Sequence, residues 1–260
     1  MTTRGPGPRP LLIAHRGAPA VAPEHTIPAY EAAIAAGADA LELDVHLSAD
    51  DQLVVIHDAR LERTSDGRGL VREYTTRQLK RLDAGGWFGR RFRGQRIQTL
   101  SEVLERFRDR AGFGVELKGG SAIYPGIEER LLTLLQVYDV LDRTLVVSFD
   151  HHALRKCRDL DPDVRTGALV VGRLLAPAAL APRGVLHALC LHAELVTAGD
   201  VVAAREAGLD CYAWVVDDPA AARRFVEWGV AGIVSNRPDL LRPVLDRAAA
   251  TGRASAGPGR

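Results

Sequence analysis

Cysteine is scarce in this 260-residue chain: Cys157, Cys190 and Cys211 are the only three. An odd number without metal-type spacing gives no basis for a disulfide framework or a cysteine zinc site, and reads as core thiols in a reducing compartment. An excess of either charge is lacking too. With 34 Lys and Arg against 33 Asp and Glu, the net charge of +1 creates no global field for nucleic acid or an anionic membrane, so any anion preference must be local. Long apolar runs are also missing. The first, Leu11 to Ala14, falls short of the about 7 to 15 residues of a secretory signal, and nothing approaches the roughly 20 of a membrane span. A cytoplasmic protein without stable membrane insertion is expected.

What is present is a full core. Apolar residues make up 47% of the chain, and Gly and Pro are spread along it, as in one domain. Nine compact runs recur: Leu11–His15, Ala40–Val45, Leu53–His57, Phe113–Lys118, Thr144–Phe149, Val164–Val171, His187–His192, Cys211–Val216 and Gly232–Ser235. Most are nearly continuous, as in parallel strands covered on both faces. Helical patterns separate them, among them Thr26–Ala36, Ser101–Arg110, Ile127–Tyr138, Ala153–Asp159, Asp200–Ala207 and Pro219–Trp228. Leu53–His57 follows its predecessor too closely for a parallel crossover, so the two form an antiparallel hairpin after strand 2. Eight strands remain, which predicts an α/β fold, a TIM (β/α)8 barrel. A doubly wound open sheet is the alternative, but no Gly-rich dinucleotide fingerprint follows strand 1. The barrel is expected over residues 11–246, between flexible tails at 1–10 and 247–260. An insertion over about 60–98 breaks the rhythm. It carries ten arginines, one lysine, Tyr74, Trp87, Phe88 and Phe92, and either lines the substrate site or caps the barrel.

Polar residues end several strands, where barrel active sites form. Glu42 and Asp44 are two apart and share a face, as do Glu116 and Lys118. Three carboxylates in one mouth repel unless a cation joins them, and oxygen ligands suit Mg2+ or Ca2+; structural salt bridges are the other reading. His15 and His57 can exchange protons near neutral pH, though either could ligate metal or be structural. Arg16 and Lys118 suit phosphate oxygens. Acid, base, metal and fixed cations together suggest phosphoester cleavage.

His15-Arg16-Gly17, Pro23-Glu24-His25-Thr26, Glu42-Leu43-Asp44-Val45, His57-Asp58, Thr99–Leu104, Val115–Lys118, Ala213–Val216 and Gly232–Asp239 resemble, in order, the motifs of the glycerophosphodiester phosphodiesterase family. The resemblance implies a barrel enzyme of lipid and glycerol metabolism that hydrolyses small-molecule glycerophosphodiesters to sn-glycerol 3-phosphate and an alcohol with a divalent cation. It makes Glu42, Asp44 and Glu116 the metal ligands, His15 and His57 the acid–base pair, and Arg16 and Lys118 the phosphate holders. Trp214 would pack on glycerol carbons, or serve only as a core side chain. His25 stands where the family usually has Asn, which leaves open what it and Glu24 do to substrate preference. A lysophospholipase D-type enzyme on the same barrel and a non-catalytic phosphate-binding barrel are the competing functions.

Overall fold

In the computed structural model, which describes residues 9–176 and 184–254, the near-continuous apolar runs become a closed parallel barrel. Its strands are β1 (Leu11–Ala14), β2 (Ala40–Leu47), β5 (Gly112–Leu117), β6 (Thr144–Ser148), β7 (Arg165–Val170), β8 (Ala188–His192), β9 (Asp210–Trp214) and β10 (Gly232–Ser235). They pair in that circular order, and the pairings of β1 with both β10 and β2 close the ring. The short β3 (Leu53–Val55) returns antiparallel along β2, with Val45 opposite Val55, as the short polar link requires. A two-residue strand that the sequence did not announce, β4 (Gln98–Thr99), extends this arm by pairing with β3.

The helices are α1 (Ile27–Ala35), α2 (Thr76–Leu79), α3 (Leu100–Phe107), α4 (Gly120–Ile123), α5 (Ile127–Val137), α6 (His151–Leu160), α7 (Ala198–Glu206), α8 (Pro219–Trp228) and α9 (Pro238–Ala254). Local chemistry sets their starts. Thr99 accepts from Glu102 N–H while the Glu102 carboxylate takes the Thr99 N–H, a capping box opening α3; Asp150 and Asp218 cap α6 and α8. Thr26 precedes α1 without capping it, because its hydroxyl donates to the Pro23 carbonyl. The helix α9 runs to Ala254, beyond residue 246 where the barrel was expected to end. At the other end Arg9 pairs with Asp39 and Asp246, tying the start of the chain to α9. The expected tails at 1–8 and 255–260 otherwise lie outside the described residues.

Period-two alternation sorts each strand between two cores. Leu12, Leu41, Leu43, Phe113, Val115 and Ile233 face the helices. Ile13, Ala40, Val147, Leu169, Cys190 and Tyr212 form a separate cluster inside the barrel. Above Ala40 on the inward side of β2 come Glu42, Asp44 and His46, all buried, so the charged residues stand on an apolar floor. The three cysteines are free and buried, as expected of core thiols. Among the described residues no helix is long and apolar enough to cross a membrane.

The insertion has a core of its own. Leu61, Val71, Leu79, Ala84 and Ile97 pack against Val54 and Ile56 of the returning arm, so this segment buttresses the stretch that leads into His57. Leu61 is fully buried there. Leu61→Ala is expected to cost about 2–5 kcal/mol, read from the midpoint of denaturant unfolding; a change below about 0.5 kcal/mol would mean that the cluster contributes nothing to stability.

Candidate active site

Strand register delivers the site. Asp44 lies directly opposite Glu116 across the β2–β5 pairing, and His15 continues β1 with its N–H on the Ser235 carbonyl at 2.9 Å. The chain then turns sharply. Arg16 and His25 both adopt left-handed backbone conformations, with φ of 54° and 57°, sparsely populated for residues with side chains. Gly17 between them is required twice over: its φ is +91°, and a Cβ would sit 2.8 Å from the Ala29 backbone. The turn points the Arg16 N–H at Glu42 Oε2, 2.8 Å away.

The carboxylates are crowded. Glu42, Asp44 and Glu116 are all buried. Burial, then the charges of Asp44 and Glu116, raise the Glu42 carboxyl well above the usual range. Burial and Asp44 likewise push Glu116 up to about 7. Lys118 Nζ bridges Glu116 Oε1 at 2.6 Å and Asp44 Oδ1 at 2.9 Å, the second an ion-pair contact without hydrogen-bond alignment. Arg16 reaches Glu24 Oε1 at 3.0 Å and approaches Asp44 Oδ2 at 3.3 Å. His25 Nε2 lies 2.7 Å from Asp44 Oδ2, and its Nδ1 is 2.9 Å from the Tyr30 hydroxyl. Among the described residues, His25, Glu42 and Asp44 offer donor atoms within 4.8 Å of one another. A buried Asp44 oxygen without a hydrogen bond, beside two carboxyls that resist ionisation, fits a divalent cation by the chemistry of its donors. Glu116, the third ligand expected from the sequence, stands opposite Asp44 across the strand pair and holds Lys118, and His25 joins Glu42 and Asp44 in the tight group.

The two histidines have different partners. His15 Nδ1 is 2.7 Å from Asn236 Oδ1, and the Asn236 amide is fixed because its Nδ2 and backbone N–H both donate to Asp217. The oxygen of Asn236 therefore faces His15, which must donate from Nδ1 and keep its lone pair on Nε2. Burial and then Arg16 lower the His15 pKa to about 4. His57 Nδ1 instead donates to the Asp58 carboxylate at 2.6 Å. Burial lowers His57 too, with Asp44 and Asp58 pulling in the opposite direction. Behind it, His46 Nε2–H donates to the His57 carbonyl at 3.0 Å, with the Tyr124 hydroxyl 2.7 Å from His46 Nδ1.

These groups line a cavity at the barrel mouth whose lining also includes Phe149, Tyr212 and Trp214. The Trp214 Nε1–H donates to the Cys190 carbonyl, and the ring meets Phe149 edge-on. The structure thus gathers His15, Arg16, Glu42, His57, Glu116, Lys118 and Trp214 around one cavity, with Asp44, Glu24 and His25 bonded to its edge. Sequence reasoning missed Asn236, Asp217, His46 and Arg63. Asn236 directly follows a strand end and His46 is two residues past Asp44, so both were within reach of the strand-end rule; Arg63, inside the insertion, gave no signal.

Family comparison points to one chemistry. The model for the glycerophosphoryl diester phosphodiesterase family matches residues 15–240. A glycerophosphodiester phosphodiesterase of Caldanaerobacter subterraneus subsp. tengcongensis is 38% identical over 232 residues, covering 89% of this chain and 96% of the relative. The crystal structure of a glycerophosphodiester phosphodiesterase from Agrobacterium tumefaciens superposes with a TM-score of 0.80 at 32% identity, over 90% of this chain and 99% of that one. A phosphodiesterase of Oleispira antarctica in complex with the product sn-glycerol-3-phosphate gives a TM-score of 0.85 at 29% identity, over 91% and 97% of the two chains.

Arg63 clamps the rim, with bonds of 2.7 to 2.9 Å to both Glu24 and Asp58. Burial alone would raise Glu24, but Arg63, His25 and Arg16 bring it down to about 2. Arg63, against the opposing effect of burial, holds Asp58 well below the usual carboxylate range. Both carboxyls are thus lower in the folded protein than in the unfolded chain, so their stabilisation is present above about pH 4 and is lost as pH falls through the folded values. Arg63→Ala is expected to lower Tm by roughly 2–4 °C at pH 7, with the gap from the parent narrowing progressively as pH falls from about 4 toward about 2. A gap independent of pH over that range would show that the clamp does not act through these ion pairs.

Proposed function

Because the chain belongs to the glycerophosphoryl diester phosphodiesterase family and is an enzyme of this phosphoric diester hydrolase class, we propose that it hydrolyses glycerophosphodiesters to sn-glycerol 3-phosphate and an alcohol by histidine acid–base catalysis. The observation that carries this reading is the meeting of two differently partnered histidines and three buried carboxylates at one cavity. Glu42, Asp44 and Glu116 would hold Mg2+ or Ca2+, with His25 orienting Asp44, and the cation would supply positive charge toward the phosphoryl oxygens. Arg16 and Lys118 orient the non-bridging oxygens. His15, neutral and with its Nε2 lone pair kept free by Asn236, is the base that takes the proton of the attacking hydroxyl. His57 is the acid: the Asp58 carboxylate at 2.6 Å favours its protonated form and lets it give a proton to the leaving alcohol oxygen as the phosphorus–oxygen bond breaks. The attacking hydroxyl belongs to water or to the neighbouring glycerol carbon, the latter through a cyclic phosphate that water then opens. The indole of Trp214 packs on the glycerol carbons. Free buried thiols support a reducing cytoplasm as the working compartment. The lysophospholipase D alternative is not favoured, since the relatives above are named for glycerophosphodiesters, and a mere phosphate binder would need neither histidine.

Hydrolysis of a panel including glycerophosphocholine and lysophosphatidylcholine tests the reading, with EDTA treatment and metal add-back. Turnover of the glycerophosphodiesters that EDTA abolishes and metal restores is expected; no metal-dependent turnover of any member would refute it. His15→Ala and His57→Ala should each lose about 10²–10⁴-fold in kcat. A faster-than-parent rescue of His57→Ala alone by substrates with a very acidic leaving alcohol would be inconsistent with His15 as the acid; equal rescue of both variants would sink the division of roles. Trapping of the intermediate separates the two routes, since a cyclic phosphate requires intramolecular attack.

A further inference from the structure

The near-neutral net charge of the chain conceals a segregation. Residues 60–98 carry eleven Arg and Lys against four Asp and Glu, a surplus of seven, while the rest of the chain has 23 against 29, a deficit of six. All ten arginines of the insertion are exposed. Among the described residues Arg68, Arg72, Arg77, Arg81 and Arg90 take part in no ion pair, so this charge is available to a partner.

Within the insertion, residues 83–96 form a rigid knuckle. The Asp83 carboxylate accepts the N–H groups of Gly85, Gly86 and Gly94 at 2.9 to 3.1 Å, and Ala84 anchors the base in the second apolar cluster. Gly85 has no room for a side chain, since a Cβ would lie 1.9 Å from the Phe92 carbonyl oxygen. At the tip Trp87, Phe88 and Phe92 stack edge to face, with centroids 5.6 and 5.4 Å apart. Trp87 is 43% exposed although its indole N–H is bonded to the Ala84 carbonyl; what it offers outward is therefore apolar ring. Arg90, Arg91 and Arg93, all exposed, follow it on the same short segment, with Arg91 4.6 Å over the Phe92 ring. Arg91 also donates to the Val21 carbonyl, which fixes the knuckle beside the turn that carries Arg16, Glu24 and His25. Val21 is itself 42% exposed.

We propose that this knuckle docks the protein on the surface of an anionic phospholipid bilayer, with Trp87 entering the headgroup layer and the arginines pairing with lipid phosphates. An indole with an apolar outer face and a satisfied N–H belongs at such an interface, and clustered arginines supply the electrostatic attraction that a single aromatic anchor cannot. With no helix among the described residues able to span a membrane, the association is peripheral and reversible. Docking sets the barrel mouth beside the bilayer. On the reading above this is also where substrate arises, because a glycerophosphodiester is a phospholipid from which both acyl esters have been removed. The binding test does not depend on that reading.

The experiment is sedimentation of the full chain with vesicles of mixed phosphatidylglycerol and phosphatidylcholine, beside vesicles of phosphatidylcholine alone. Binding to the anionic vesicles is expected, weakening steeply as salt rises, with quenching of tryptophan fluorescence by brominated acyl chains that is absent in Trp87→Phe. Arg90→Glu with Arg93→Glu should weaken vesicle binding about tenfold or more while hydrolysis of a soluble diester is unchanged. Absence of binding at low salt, equal binding to zwitterionic vesicles, or binding that survives both the Arg90/Arg93 double variant and Trp87→Ala would overturn the proposal. So would tight binding of a single-stranded oligonucleotide by the same residues without vesicle binding.

Discussion

Mutual repulsion among Glu42, Asp44 and Glu116 is the constraint on which the site is organised. Three carboxyls buried on adjacent strands cannot all ionise without compensation, and the surrounding groups supply it: Lys118 across Asp44 and Glu116, the Arg16 N–H on Glu42, and His25 on Asp44. The left-handed backbone at Arg16 and His25 folds the chain back so that a main-chain N–H meets Glu42 and an imidazole meets Asp44. Gly17 makes that fold sterically possible. Compensation remains incomplete, as the raised Glu42 and Glu116 carboxyls indicate.

Outside this cluster the two histidines are set apart by what holds them. An amide that is itself pinned by Asp217 gives His15 one tautomer and no countercharge. A carboxylate gives His57 a countercharge, and Arg63 in turn keeps that carboxylate ionised. Two chemically identical side chains thereby acquire different partners from different parts of the chain, the residue after β10 in one case and Asp58, held by the insertion, in the other.

Much of the barrel was legible because parallel strands covered on both faces write themselves as apolar runs, and because the link from residue 47 to 53 is too short for any pairing but antiparallel. Period-two spacing placed Glu42 with Asp44 and Glu116 with Lys118 on shared faces, and register then set them side by side. What escaped was contact between distant segments. Arg63 lies 39 residues from Glu24 in sequence, and one more arginine in a run of them carries no mark of the carboxylates that it will meet. The two residues of β4 were likewise invisible, being too few for a period and defined only by their partner. The hydroxyl of Thr26 shows the limit of local rules: a good capping residue in a capping position spends its hydrogen bond on the Pro23 carbonyl instead.

The bond between His15 and Asn236 spans 221 positions of sequence. His15 directly follows the first strand of the barrel, and the amide that fixes its Nδ1 proton directly follows the last. Arg9 and Asp246 draw the same two ends together. The proton on His15 Nδ1 is therefore fixed only once β10 has closed the ring against β1.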